Sequence, residues 1–186
     1  METKSKVTEL LVEVQHGSKK AYEALFPLVY QELKRLAYAK LQSERKDITV
    51  TETALVHEVY LKMVDQTNLK ANSKNHFMAI AARCMRQILV DHARKKKAQK
   101  RGGDKQNVTY IDELLNVHHQ SDELIDIDQK LKDLANLDER MAEVVTLRFF
   151  GQMTVQATAD ALNVSERTVK RDWAKARGWL FNKLKN

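Results

Sequence analysis

The sequence predicts an all-α fold: two small helical modules joined by a flexible basic linker. Three observations lead there. Helix-forming residues dominate, with one proline, Pro27, and five glycines among 186 residues, which disfavours turn-rich β architectures. Apolar residues recur at three- and four-residue spacing through most of the chain. Between two such regions runs RKKKAQKRGGDK, Arg94 to Lys105, a like-charge block with a Gly-Gly pair that cannot contribute to a core.

The elements follow in order. Val7, Leu10, Leu11 and Val14 mark a first helix, with Gly17 as its stop. Tyr22, Leu25, Phe26, Val29, Leu33 and Leu36 mark a second, in which Pro27 either kinks the helix or sets its start. Gln42 to Asp47 reads as a loop, and Thr49 with Glu52 as a capping box for a third helix carrying Leu55, Val56, Val59 and Met63. Asp65 to Asn75 is polar and aperiodic, a surface loop. Phe77, Ile80, Ala81, Cys84 and Ile88 stripe a fourth helix, which makes Cys84 a buried, inert thiol. A linker follows to Ser121, with a short helical piece at Ile111 to Leu115. Ser121 reads as a cap before Asp122 and Glu123, and Leu124, Ile127, Leu131 and Leu134 stripe the helix beyond. Met141 to Phe149 forms a short helix before Gly151. The expected divisions are residues 1–97, 98–121 and 122–186, and the charged linker implies modules that move independently.

The last module carries the clearest motif, TVQATADALNVSERTVKRDW, Thr154 to Trp173. Ala159 is small enough for two helices to cross closely, Asn163 tolerates a left-handed turn, and Ser165 caps the second helix. Val169, Trp173, Ala176, Leu180 and Leu184 share one face of that helix, so Trp173 belongs to the core. Arg167, Lys170, Arg171 and Lys175 share the other, where they suit phosphates and guanine edges. An ordinary solvated face is the competing reading. The nearly uniform positive sign and the helix-turn-helix favour DNA.

Composition agrees. The net charge is +7 and the pI near 9.4, which points to a polyanionic partner. No apolar run reaches the ~20 residues of a membrane span, the N-terminal segment lacks a signal peptide's apolar core, and one cysteine suits the cytoplasm. Arg83, Arg86, Arg94 and the following lysines flank Asp91 and His92 on the fourth helix, a second basic surface for nucleic acid. A membrane-surface helix would need large apolar side chains opposite the charge, and here those build the core. There is no P-loop, dinucleotide fingerprint, nucleophile elbow or zinc spacing. His57 and Glu58 are adjacent on a helix and do not face each other. No enzymatic activity, cofactor or metal is expected.

These residues resemble the bacterial extracytoplasmic function (ECF) sigma factors of RNA polymerase. The resemblance spans nearly the whole chain and rests on TALVHEVYLKMVD (53–65), HFMAIAARCMRQILVDHARKKK (76–97), LANLDERMAEVVTLRFF (134–150) and the helix-turn-helix, which is close to a subgroup with a VKRDW run. It implies a region 2 that binds the polymerase clamp-helix coiled coil through Leu55, Glu58 and Leu61. It implies −10 promoter contacts from Asn72, Ser73, Lys74, Asn75 and His76, which would receive a flipped base, and from Arg83, Arg86, Asp91, His92 and Arg94. It implies a region 4 that binds the polymerase flap and reads the −35 element with Ser165, Arg167, Thr168, Lys170, Arg171 and Lys175, and a linker in the RNA-exit path. A stand-alone helix-turn-helix regulator is the alternative function. A helical nucleic-acid-processing enzyme is a third and would need an acidic metal cluster.

One slot departs from the family pattern. Before Leu55-Val56-His57-Glu58, where many ECF factors carry several carboxylates, this chain reads Thr51, Glu52, Thr53 and Ala54. Phosphorylation of Thr51 or Thr53 would restore the missing charge, about −1.5 to −2 per phosphate, which brings in a Ser/Thr kinase beside an anti-sigma factor as a further partner class.

Overall fold

A computed structural model describes residues 2–41, 48–65, 71–100 and 120–184. Among these residues it has eight helices and no strand: α1 (Glu2–Gln15), α2 (Lys19–Leu41), α3 (Ile48–Asp65), α4 (Lys74–Lys100), α5 (Gln120–Leu137), α6 (Glu139–Phe149), α7 (Val155–Leu162) and α8 (Glu166–Leu184). The expected loop at 42–47, the piece at 111–115 and the basic block beyond Lys100 lie outside the described residues.

Helices α1 to α4 enclose a core of Val7, Leu11, Leu25, Val29, Leu33, Leu55, Val56, Val59, Met63, Phe77, Met85 and Leu89. Each such side chain contributes about 1.5–3 kcal/mol by leaving water. Gly17 closes α1 at φ +83, and Ser18 Oγ accepts from the Ala21 amide at 3.2 Å to begin α2. α2 runs through Pro27 and starts eight residues before it, so the proline is not the helix start. It forfeits one backbone hydrogen bond on an exposed side of a helix whose other side is packed. Cys84 is a buried free thiol, and burial pushes its pKa up.

Two predicted caps are displaced. α3 already begins at Ile48, so Thr49 lies inside its first turn. α5 begins at Gln120, so Ser121 is likewise inside. Ser73, in the stretch whose composition predicts a loop, is a further cap: its Oγ accepts from the His76 amide at 3.1 Å. That cap draws Lys74, Asn75 and His76 into the first turn of α4. The true cap of α6 is Asp138, whose carboxylate accepts from the Met141 amide at 3.0 Å.

The two halves are docked along α4, contrary to the independence that the linker composition implies. α5 buries Leu131 and Leu134 in the same continuous core as the first four helices. Ala79 and Ala82 of α4 meet Leu147 and Met153. Gly151 permits this approach: a Cβ there would lie 2.8 Å from the Ala82 Cβ and 2.7 Å from the Leu147 carbonyl oxygen. Small residues on α4 and complementary charges beside them favour contact over separation.

Candidate nucleic-acid interface

The helix-turn-helix is built locally as its residues dictate. Thr154 Oγ1 accepts from the Ala157 amide at 3.0 Å and starts α7. Asn163 ends it in the left-handed region at φ 53, ψ 47, where asparagine costs less than most residues. Ser165 Oγ accepts from the Thr168 amide at 3.1 Å and starts α8. Val144, Ala159 and Val169 pack in the crossing between α6, α7 and α8.

Two ionic contacts aim α8. Asp172 is buried, and its Oδ2 accepts from Arg140 Nε of α6 at 2.6 Å while Oδ1 lies 3.3 Å from Arg171 Nε. Burial alone would raise its pKa, but these guanidiniums hold the carboxyl below the usual range. Arg148 stacks over the Trp173 ring at 5.4 Å and donates to the Met153 carbonyl at 2.7 Å. Thus the Asp-Trp pair of the VKRDW run faces inward and orients the helix. Arg140 and Arg148 carry no signal in the sequence because the side chains they brace, Asp172 and Trp173, lie on another helix; the one local hint is an acid inside a basic run.

Outward from that support, Ser165, Arg167, Lys170, Arg171 and Lys175 are exposed and Thr168 is half-buried beside Ser165, 2.9 Å between hydroxyls. Among the described residues, the ion pairs of these cations are with Glu166 and Asp172 on their own helix. The face presents four positive charges to solvent.

The residues expected at the −10 element sit differently. Asn72 is exposed and its Oδ1 lies 3.0 Å from His76 Nδ1. Ser73 caps α4. Lys74 is paired with Glu32 at 2.6 Å. Asn75 Nδ2 donates to Asp160 Oδ2 of α7 at 3.0 Å. Arg83 bridges to Glu143 of α6 at 2.8 Å. Arg86 reaches Asp128 of α5 at 2.8 Å and donates to Thr146 Oγ1 at 3.0 Å, and Arg94 reaches the same Asp128 at 2.7 Å. Asp91 pairs with Lys62 at 4.0 Å. His92 is buried, with Nε2 2.9 Å from Glu58 Oε2. Arg83, Arg86, Asp91, Arg94, Asp128 and Glu143 therefore line one cleft of about 380 Å³ between the two halves.

On α3, Leu61 is 60% exposed, Glu58 is turned to His92, and Leu55 lies fully buried, so Leu55 anchors the helix while Leu61 is available to a partner. Thr53 is half-buried, and the side chain of Thr51 lies outside the described residues. A groove of about 630 Å³, overlooked in the sequence, is lined by Ile127, Val145, Phe149, Trp173, Leu180 and Phe181. Its walls come from α5, α6 and α8, whose apolar residues looked like core.

A family model described as ECF sigma factor matches residues 4–186. The chain belongs to the ECF sigma factor family. No curated protein matches it. The family is not an enzyme family; its role is in transcription initiation, with RNA polymerase and promoter DNA as partners. Among the described residues there is no cluster of metal-ligating side chains, and no helix is long and apolar enough to cross a membrane.

Proposed function

We propose that this sigma factor holds a promoter at two places while seated on core RNA polymerase in the cytoplasm. The observation that carries the reading is the exposed cationic face of α8, with Arg167, Lys170, Arg171 and Lys175 on a capped helix that Asp172 and Trp173 brace from behind. That face enters the −35 major groove. Residues 122–186 act as region 4, and the groove of Phe149, Leu180 and Phe181 takes an apolar element of the polymerase flap. Residues 1–97 act as region 2: Leu61 docks on the clamp helices, Asn72 to His76 receive an extruded base, and Arg83, Arg86, Arg94 and His92 follow the −10 strand. Residues 98–121 connect the two through the RNA-exit path, and the VKRDW run assigns the chain to the subgroup that shares it.

Phosphorylation by a Ser/Thr kinase tunes the first contact. Thr51 and Thr53 fall in the first two turns of α3, where added negative charge also suits the helix dipole. Alanine at both positions then lowers core affinity and promoter output in the native host, and unchanged output sinks this part.

Transcription in vitro with purified core polymerase and a promoter library tests the whole reading. The chain confers initiation at a subset of promoters on a core that otherwise shows none. Footprinting of DNA by the chain alone, with no binding to core in any modification state, would establish a stand-alone regulator instead.

A further inference from the structure

We propose that His92 is a positioning residue for the polymerase contact: from α4 it holds Glu58 of α3 in the orientation that a basic polymerase surface meets. This goes beyond the −10 role given to His92 above, and it rests on the assignment of Glu58 and Leu61 to the clamp-helix contact. The His92 ring is buried, and its Nε2 lies 2.9 Å from Glu58 Oε2. A carboxylate only accepts, so Nε2 is the donor. The two partners differ in access: the His92 side chain is 8% exposed and that of Glu58 38%. A partner on α3 therefore reaches the carboxylate and not the ring that steers it. One turn along the helix, Leu61 stands in solvent, so the held carboxylate and the exposed leucine are neighbours on one strip of α3.

Holding α3 against α4 does not need this pair. Val56, Val59 and Met63 already share one core with Met85 and Leu89, and the neighbouring tie of Lys62 to Asp91 is loose at 4.0 Å and partly exposed. What the shorter His92 contact adds is direction. A glutamate side chain loses rotamer freedom when a partner fixes it, and a donor that fixes it beforehand removes that cost from association. The slot just upstream gives the effect weight. Glu52 is the one acid among Thr51, Glu52, Thr53 and Ala54, and Glu58 is the next carboxylate along α3, so its orientation bears a larger share of charge recognition.

The test reads binding of the full chain to purified core polymerase with no DNA present, which keeps the −10 contacts out of the measurement. Fluorescence anisotropy of the labelled chain gives the affinity, and circular dichroism gives Tm. Glu58→Ala weakens binding about tenfold, and His92→Leu weakens it about threefold to tenfold. Placed on Glu58→Ala, His92→Leu adds less than about twofold, because the group it steers is gone. His92→Gln, whose amide nitrogen stands as far from Cβ as the imidazole Nε2, binds within about twofold of wild type. His92→Asn, whose amide falls short of Glu58, binds like the leucine variant. Wild-type affinity in His92→Leu, a loss of equal size with and without Glu58, or losses that track a fall in Tm across the variants would overturn the proposal. Equal binding by the Gln and Asn variants overturns it too, and that comparison decides the matter where the leucine variant does not fold, since both replacements stay polar. If Glu58→Ala binds core like wild type, the polymerase reading of Glu58 fails and the role of His92 with it; if Glu58→Ala weakens binding and the His92 variants do not, only the role of His92 fails.

Discussion

Replacing Asp172 with asparagine removes a buried charge on which the orientation of α8 depends. Its carboxylate accepts from Arg140 at 2.6 Å and meets Arg171 at 3.3 Å. A fully buried pair broken on one side costs about 3–5 kcal/mol. Here the carboxylate is buried but the two guanidiniums are 44% and 56% exposed, so solvent screens them and the cost falls to about 2 kcal/mol. For a protein of this size that lowers Tm by about 4–8 °C near neutral pH. The pH dependence has a definite sign. Because the folded-state pKa is depressed, the charge stabilises the fold above the unfolded value of about 3.9 and ceases to as pH falls through the folded value. Thermal unfolding followed by circular dichroism should show a constant deficit between about pH 7 and 5 that shrinks below about pH 4. A deficit under about 1 °C at neutral pH, or one that persists unchanged into acid, would refute the reasoning.

Arg167→Ala and Lys170→Ala should each weaken binding to −35 duplex DNA and reduce the slope of log affinity against log salt by about 1, measured by anisotropy over a salt series, with little change in Tm because both side chains are exposed. Gly151→Ala places a methyl group 2.7 Å from the Leu147 carbonyl and 2.8 Å from Ala82; the overpacking should cost about 1–3 kcal/mol in urea unfolding. On α3 two leucines should separate cleanly. Leu55→Ala, fully buried, destabilises by about 2–5 kcal/mol, whereas Leu61→Ala leaves stability within about 0.5 kcal/mol and weakens association with core polymerase in a pull-down titration.

What the sequence reveals and conceals divides along physical lines. Helical period, the left-handed Asn163 and the Ser165 cap depend on neighbours within four residues, and all three are read directly from the chain. Ser73 and Asp138 escaped because a polar residue at a helix start looks the same as one in a loop until its amide partner is seen. The docking of the two halves depends on pairs such as Arg86 with Asp128, 42 positions apart, which carry no local period. Arginines on a basic helix suggest nucleic acid whether or not a distant carboxylate meets them first. Leu61 and the groove at Phe149 and Phe181 escaped for the converse reason: apolar stripes are read as core, and only the packed structure distinguishes the turns left uncovered.

The shared use of α4 has a consequence for synthesis. The side of this helix that carries Met85 and shares a core with Leu55 is satisfied as soon as the first hundred or so residues have left the ribosome, since domains fold as units from the N-terminus. Its other side waits for α5 to α7. During that interval the alanine seam and the arginines of the nascent chain face the crowded, polyanionic surroundings of the ribosome bare, and the late arrival of the C-terminal helices ends that exposure.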